Sequence, residues 1–331
     1  MIMIIISCVL ISACISQTPQ TPESTTVKVA YIPLISNGPL FIAQEEGYFA
    51  RQGITVEFEK FQSGGAAFPA LINGDIAASG GAISPGLYNA IARGAHVRIV
   101  ADKGRMAPGF CNSSALMVRR DLYEKGIVRN VSDLKGRKVS ASTDQNFGIS
   151  RSLELGNLTP NDVEVIDLDY PSAVIALKNS AVDAAILTEP YLTQAMNSGA
   201  AVVLVPGSVF SPDFPFPVYY GTAFLDKNPE LGRRFMVAYL QGVKQYNEGK
   251  TERNLEILQI HTKLDREMLN QSCWLPIAED GVVIRQPVME YMDWLYDNGY
   301  ISRKLDEDQI FDLSYATYAH EKVQNMTRIG K

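Results

Sequence analysis

Between Leu40 and Phe61 the hydrophobic period of the chain switches from helical to strand-like across two glycines. Leu40, Phe41, Ala43, Gly47 and Tyr48 share one helical arc, broken only by the polar Gln44. Beyond Gly53, Ile54, Val56 and Phe58 take one face while Thr55, Glu57 and Glu59 take the other, as in a half-buried strand. Gly47 and Gly53 can adopt the positive φ needed where a helix stops and the chain turns. With the strand-like VKVAYIP before it, the stretch is the centre of a strand–helix–strand unit.

That alternation continues along the chain. Strands are expected near 27–33, 54–61, 75–79 and 97–101, with helices near 39–50, 66–73 and 83–93. A second series has strands at 115–120, 138–142, 163–169, 183–187 and 201–205, with helices opening at Phe147, Pro171 and Pro190. Proline is favoured in a first helical turn. Such alternation implies parallel strands with right-handed crossovers, an α/β fold. PALINGDIAASGG (69–81) and IALKNSAVDAAILTEP (175–190) echo each other, and Gly94-Ala95 and Gly199-Ala200 repeat one turn. Together with a length of 331 residues, this predicts two similar lobes rather than one core. A long helix is expected over 226–249, opening a helix-rich remainder that packs on the first lobe.

The first 14 residues, MIMIIISCVLISAC, are uncharged and mostly apolar. The run is too short to span a bilayer but suits the core of a secretory signal. Small residues ahead of Cys14 resemble the lipobox of prokaryotic lipoproteins, in which the cysteine carries the lipid; a plain signal peptide is the alternative. Residues 15–26 read as a polar tether. The mature chain is therefore expected outside the cytoplasm, anchored to the outer face of the membrane through Cys14, or periplasmic or secreted without the lipid.

A net charge of −6 and the lack of a basic stripe argue against nucleic acid as a partner. His96, His261 and His320 are far apart in sequence and lack neighbours at ligand spacing, so no metal site is expected. The sequence has no GxSxG, HExxH, Walker A or GxGxxG motif, and no cofactor is expected. Cys111 and Cys273 are the only cysteines beyond the leader. Pairing and the reduced state both remain open. What the chain does carry is a set of small, polar strand-to-helix loops: SNG (36–38), QSGG (62–65), SGGAIS (79–84), STDQN (142–146) and TEP (188–190). In open parallel sheets such loops gather at the carboxyl edge, where ligands bind, and each helix start offers free N–H groups.

Gly47-Tyr48-Phe49 followed by Gly53-Ile54-Thr55-Val56, then Gly74-Asp75-Ile76-Ala77, resembles the substrate-binding lipoproteins of ABC importers. The likeness is to the group serving nitrate, taurine, sulfonates and thiamine-pyrimidine precursors. In the second motif Ala77 replaces the usual aspartate. The resemblance implies a two-lobed periplasmic-binding-protein type II fold, each lobe a mainly parallel sheet flanked by helices. Its parts would be a first lobe from 27–114, a second from 115–220 and a return to the first over 221–331, with hinge strands at 115–120 and 218–224. It implies a monomer that captures a small solute between lobes and presents it to a permease and its ATPase.

Carried onto this chain, the resemblance implies ligand contacts at Asn37, Ser63, Gly64, Gly81, Ala82, Asp102, Thr143, Asn146, Glu189 and Tyr219. The cleft loops then hold Asp102, Asp144 and Glu189 against Lys103 and Arg105 as the nearby cations. Buried carboxylates facing an anion are costly, while Phe110, Phe147, Tyr170, Tyr191, Phe216 and Tyr219 supply candidate ring faces. The balance leans to an aromatic or heterocyclic solute, with a sulfonate- or nitrate-type anion as the alternative. Readings of another class are a ligand sensor or an enzyme on the same fold. Desulfinases of this fold use a cysteine near the first-lobe cleft, where this chain has Ile35-Ser36-Asn37, leaving Cys111 with His96 as the surviving enzymatic pair.

Overall fold

A computed structural model describes residues 24–61, 65–142 and 146–329 of the chain. Ten strands alternate with helices: β1 (Thr25–Tyr31), β2 (Ile54–Lys60), β3 (Ala78–Gly80), β4 (Arg98–Arg105), β5 (Ser114–Arg119), β6 (Lys138–Ser140), β7 (Glu164–Ile166), β8 (Ala184–Thr188), β9 (Ala201–Pro206) and β10 (Pro215–Tyr220). They form two five-stranded sheets ordered β2-β1-β3-β10-β4 and β7-β6-β8-β5-β9. In each sheet one strand runs against the others: β10 is antiparallel to β3 and β4, and β5 to β8 and β9. These two are the strands by which the chain arrives from the opposite lobe. This is the two-lobed type II binding-protein fold.

Alternation along the strands builds a core on each face of each sheet. In β1, Val27 and Val29 join one cluster and Ala30 the other. In β5, Leu116 and Val118 are buried on one face, Ala115 and Met117 on the other. The repeated turn is real: Gly94 (φ 91°) and Gly199 (φ 72°) both follow a helix in the left-handed region. In each case the next residue, Ala95 or Ala200, donates back to Ala90 or Ala195.

Several boundaries moved. The helix expected over 39–50 is two, Gly38–Glu45 and Tyr48–Arg51, separated at Gly47 with φ 68°. The strand expected at 75–79 begins only at Ala78, because Asp75 and Ile76 donate back to Ala70 and close the preceding helix. The chain passes between sheets over 106–113 and returns over 207–214, ahead of β5 and β10, so 115–119 and 218–220 lie inside the sheets. The two passages run side by side, with Met106 donating to Phe214 at 3.1 Å and Asp213 to Met106 at 2.9 Å.

The return half covers the first lobe. The helix Pro229–Tyr246 packs against Gly38–Glu45 so closely that a Cβ at Gly242 would sit 2.2 Å from the Pro39 carbonyl oxygen. Gly242→Ala is therefore expected to lower unfolding free energy by about 2–3 kcal/mol in urea titrations, despite alanine's advantage of roughly 1 kcal/mol in a helix. A neutral or stabilising result would show that the two helices have room to separate.

Candidate functional site

The carboxyl ends of both sheets meet across a cavity of about 370 Å³. The first lobe supplies Ser36 after β1, Gly81 and Ala82 after β3, Lys103 on β4 and Phe216 on β10. The second supplies Ser142 after β6, Asp167, Asp169 and Tyr170 after β7, and Thr188 and Glu189 at the end of β8. Ser113, at the start of β5, adds a wall from the passage between sheets, and Cys273 and Leu275 add one from the return half.

Lys103 is the dominant charge. Its side chain is 1% exposed, and its Nζ donates to Ser36 Oγ at 2.8 Å. The stem reaches across the sheet from β4 over Gly80, where a Cβ would lie 2.5 Å from Lys103 Cδ. Only glycine at the end of β3 leaves that path clear. Among the described residues Lys103 forms no salt bridge. Burial lowers its ammonium from the ordinary lysine value of 10.5 to about 8, with neighbouring Asp102 opposing the shift.

Of the carboxylates near it, Asp167, Asp169 and Glu189 line the cavity, and Asp169, Glu189 and Asp102 accept from backbone amides. Asp102 is buried off the cavity, with its oxygens accepting from the Gly104 amide at 3.0 Å and the Ala278 amide at 2.8 Å. It pins the return half to β4, and burial raises its pKa. Glu189 lines the cavity, but its carboxylate accepts from Thr193 Oγ1 at 2.8 Å and from the Cys273 amide at 2.9 Å. Burial raises its pKa too, against those hydrogen bonds. Asp169 caps the helix Tyr170–Lys178 through the Ser172 amide, and the Ser172 hydroxyl together with that amide holds its pKa down. Arg105 pairs with Asp213 between the two passages and does not reach the cavity.

Of the residues expected from sequence, Gly81, Ala82 and Glu189 line the cavity. Asp102 does not, and neither does Tyr219, a residue of the first-lobe core whose hydroxyl donates to the Ala82 carbonyl at 3.0 Å. Asn37 sits just behind Ser36, its Nδ2 on the Ile32 carbonyl and its buried Oδ1 without a partner among the described residues. Ser63, Gly64, Thr143 and Cys14 lie outside the described residues, as does the side chain of Asn146. Of the six candidate rings, Tyr170 and Phe216 line the cavity, Tyr191 stacks behind Tyr170 at 5.7 Å, and Phe110 is exposed.

Cys111 and Cys273 form a disulfide, with Cα atoms 5.5 Å apart. It fastens the passage between sheets to the return half, one wall of the cavity. This removes the free thiol on which the enzymatic pair depended, and His96 is paired with Asp226 instead. Ser36, Lys103 and Thr188 were not among the residues expected to bind, although Ser36 and Thr188 lie in the loops singled out from sequence. The signal for Lys103 was a charge carried on the same strand just beyond the apolar Ile99-Val100-Ala101; Cys273 and Leu275 carried none, since tertiary packing alone brings them in.

Two facing lobes with a ligand-sized gap between their strand ends are the frame of a solute-binding protein. The chain belongs to the NMT1-like family, whose model matches residues 20–261. It is 24% identical over 283 residues to a putative ABC transporter periplasmic binding protein of Brachyspira hyodysenteriae, covering 82% of this chain and 80% of that one. It is 26% identical to a putative aliphatic sulfonates-binding protein of Bacillus subtilis, covering 87% and 86%. Other relatives are named for taurine, bicarbonate and nitrate/nitrite. Among solved structures, the alkanesulfonate-binding protein of Xanthomonas axonopodis pv. citri bound to MOPS aligns with a TM-score of 0.69 at 18% identity, over 87% of this chain and 99% of that one. The desulfurization enzyme DszB shares the fold at 13% identity, with a TM-score of 0.66 over 90% and 99%.

The Lys103 environment sets a pH dependence. Its ammonium persists to about pH 8 in the folded chain and to 10.5 in the unfolded one. Affinity for an anion is expected to be flat well below pH 8 and to fall above it, approaching about tenfold per pH unit. Over the same window the unliganded protein gains stability from this residue, because the unfolded chain then holds the extra proton. Calorimetric titrations and thermal melts between pH 6.5 and 9.5 read both. An affinity constant across that range would remove Lys103 from the site.

Proposed function

We propose that the protein is the extracytoplasmic solute-binding component of an ABC importer and that its solute is an anion. The observation that carries this reading is the Lys103 ammonium, buried at the cavity wall with a serine hydroxyl as partner and no salt bridge among the described residues. An ammonium so desolvated is costly on its own and gains most from an anion delivered to it. Relatives named for aliphatic sulfonates, bicarbonate and nitrate/nitrite bear the names of anions, and one named for taurine that of a zwitterion with a sulfonate group; another is named for riboflavin. The argument from sequence that cleft carboxylates repel an anion weakens for Asp102, which lies off the cavity, and for Glu189 and Asp169, which accept from backbone amides; Asp167 is the further carboxylate at the cavity wall. A neutral heterocycle would leave Lys103 uncompensated, so the anion is the better reading.

Capture would work by closure. The paired passages at 106–113 and 207–214 are the hinge we propose, because they alone carry backbone between the sheets. A solute touching both lobes binds the closed form better and shifts the population toward it, the form a permease would recognise. Anchoring through lipid on Cys14 and partnership with a permease and ATPase belong to the same proposal.

The test is a thermal-shift panel of methanesulfonate, taurine, nitrate and bicarbonate against hydroxymethylpyrimidine and thiamine. A solute that binds only the native state raises the melting point with its concentration. At least one anion is expected to do so, and Lys103→Met should weaken it by about 10- to 100-fold, the range of a charge-assisted hydrogen bond. The same variant should melt no lower than the parent without ligand, since it removes a buried charge. A shift with the heterocycles alone would refute the anion reading.

A further inference from the structure

The cavity does not end at Phe216. Ala82, Tyr170, Thr188 and Phe216 are walls shared with an adjoining space of about 60 Å³, closed by Phe147, Phe210 and Phe214. Both lobes contribute: Phe214 precedes β10, whereas Phe147 belongs to the helix Asn146–Glu154 of the second lobe. The Phe147 ring lies 5.7 Å from Phe214 and 4.8 Å from Tyr291, centroid to centroid. Lys103 and Ser36 line the larger space and not the annex; Phe147, Phe210 and Phe214 line the annex and not the larger space. The continuous volume thus has a charged end and an aromatic end.

We propose that the solute is an aryl anion, its acidic group at Lys103 and Ser36 and the far edge of its ring in the annex. This rests on the anion reading above and narrows it. Size supports an organic solute, since 370 Å³ lies in the range of roughly 300–1,000 Å³ for organic-ligand pockets. A bare inorganic anion would leave most of that volume to water. The annex cannot take a whole ring, because an engineered cavity that holds benzene measures about 150 Å³. The remainder of the ring lies between Tyr170 and Phe216. Rings meeting ring edges gain beyond the area they bury, which an alkyl chain does not.

Gly148 tests the annex without touching the charged end. It lies in the first turn of Asn146–Glu154 and lines the annex, and a Cβ there would meet Ile186 and Phe210 at 3.6 Å, an ordinary contact. Leucine also suits a helix better than glycine, so Gly148→Leu should fold. Titration calorimetry on the full-length protein would compare benzenesulfonate, benzoate, methanesulfonate and nitrate. At least one ring anion is expected to bind about tenfold or more tighter than methanesulfonate. The first two compounds separate a sulfonate from a carboxylate head group. Gly148→Leu should cost the ring anion about tenfold or more, leave methanesulfonate within about twofold, and be matched by no such loss in Gly148→Ala. Equal affinity for methanesulfonate and the ring anions, or equal losses for both in Gly148→Leu, would overturn the aryl assignment while sparing anion capture. Failure of all four anions to bind, or binding indifferent to Lys103→Met, would overturn anion capture itself and the aryl assignment with it.

Discussion

A single ammonium, stretched across the first sheet, organises the cleft. Lys103 starts on the outermost strand of that sheet and ends on the loop after β1, a path open only because Gly80 has no side chain. Desolvating an amine is among the more costly things a fold can do, and nothing in the core benefits from it. The cost is sustained by the surrounding packing, which includes Tyr239 donating to the Asp102 carbonyl at 2.8 Å and so fixing the strand that carries the lysine. Local destabilisation held in place by a rigid frame is a property of binding sites rather than of cores.

The frame itself is assembled from carboxylates that serve the backbone. Asp102 holds the amide of Ala278, and Glu189 holds the amide of Cys273. The two anchor points lie five residues apart on one irregular segment of the return half, and the disulfide to Cys111 fixes its near end. The wall that segment forms is therefore tied to β4, to the second lobe and to the passage between sheets. Of the acidic residues that the sequence places in the cleft, Asp102 lies off the cavity and Glu189 holds an amide at its wall, while Asp144 lies outside the described residues. Lys103 is the one cation among the described residues that line the cavity, which it shares with Asp167, Asp169 and Glu189.

Most of the architecture was legible because hydrophobic period records it directly. The expected strands and the helices at Pro171 and Pro190 all occur, although those expected at 75–79, 138–142 and 163–169 keep only three residues each, and the repeated Gly-Ala turns report two lobes. Site residues are legible only to the level of a loop. Asp102 and Lys103 are adjacent, and successive side chains on a strand take opposite faces. Which face looks into the cleft depends on how β4 pairs with β10, a long-range fact that no local pattern records. The same parity separates Tyr219, buried against Phe68, from Tyr220, buried against Phe224. Ser36 and Asn37 differ similarly: one reaches the lysine, and the other braces the loop behind it.

Charge and ring were weighed from sequence as competing ligand classes, and the structure places them at opposite ends of one volume. Of the carboxylates counted against an anion, Asp102 and Glu189 are bonded to amides; of the rings counted for a heterocycle, Tyr170 and Phe216 line the cavity with Lys103 and Phe147 lies in the annex beyond. A solute satisfying one end alone would leave either a desolvated amine or an apolar recess in contact with water, and both are unfavourable. Selectivity in such a cleft comes from the distance between the two ends as much as from either. On the reading proposed above, a small anion would reach the charge without spanning the lobes, whereas a longer one would touch Phe147 and Lys103 together and so favour closure. Differential contact of that kind is what a two-lobed receptor needs in order to report an occupied state.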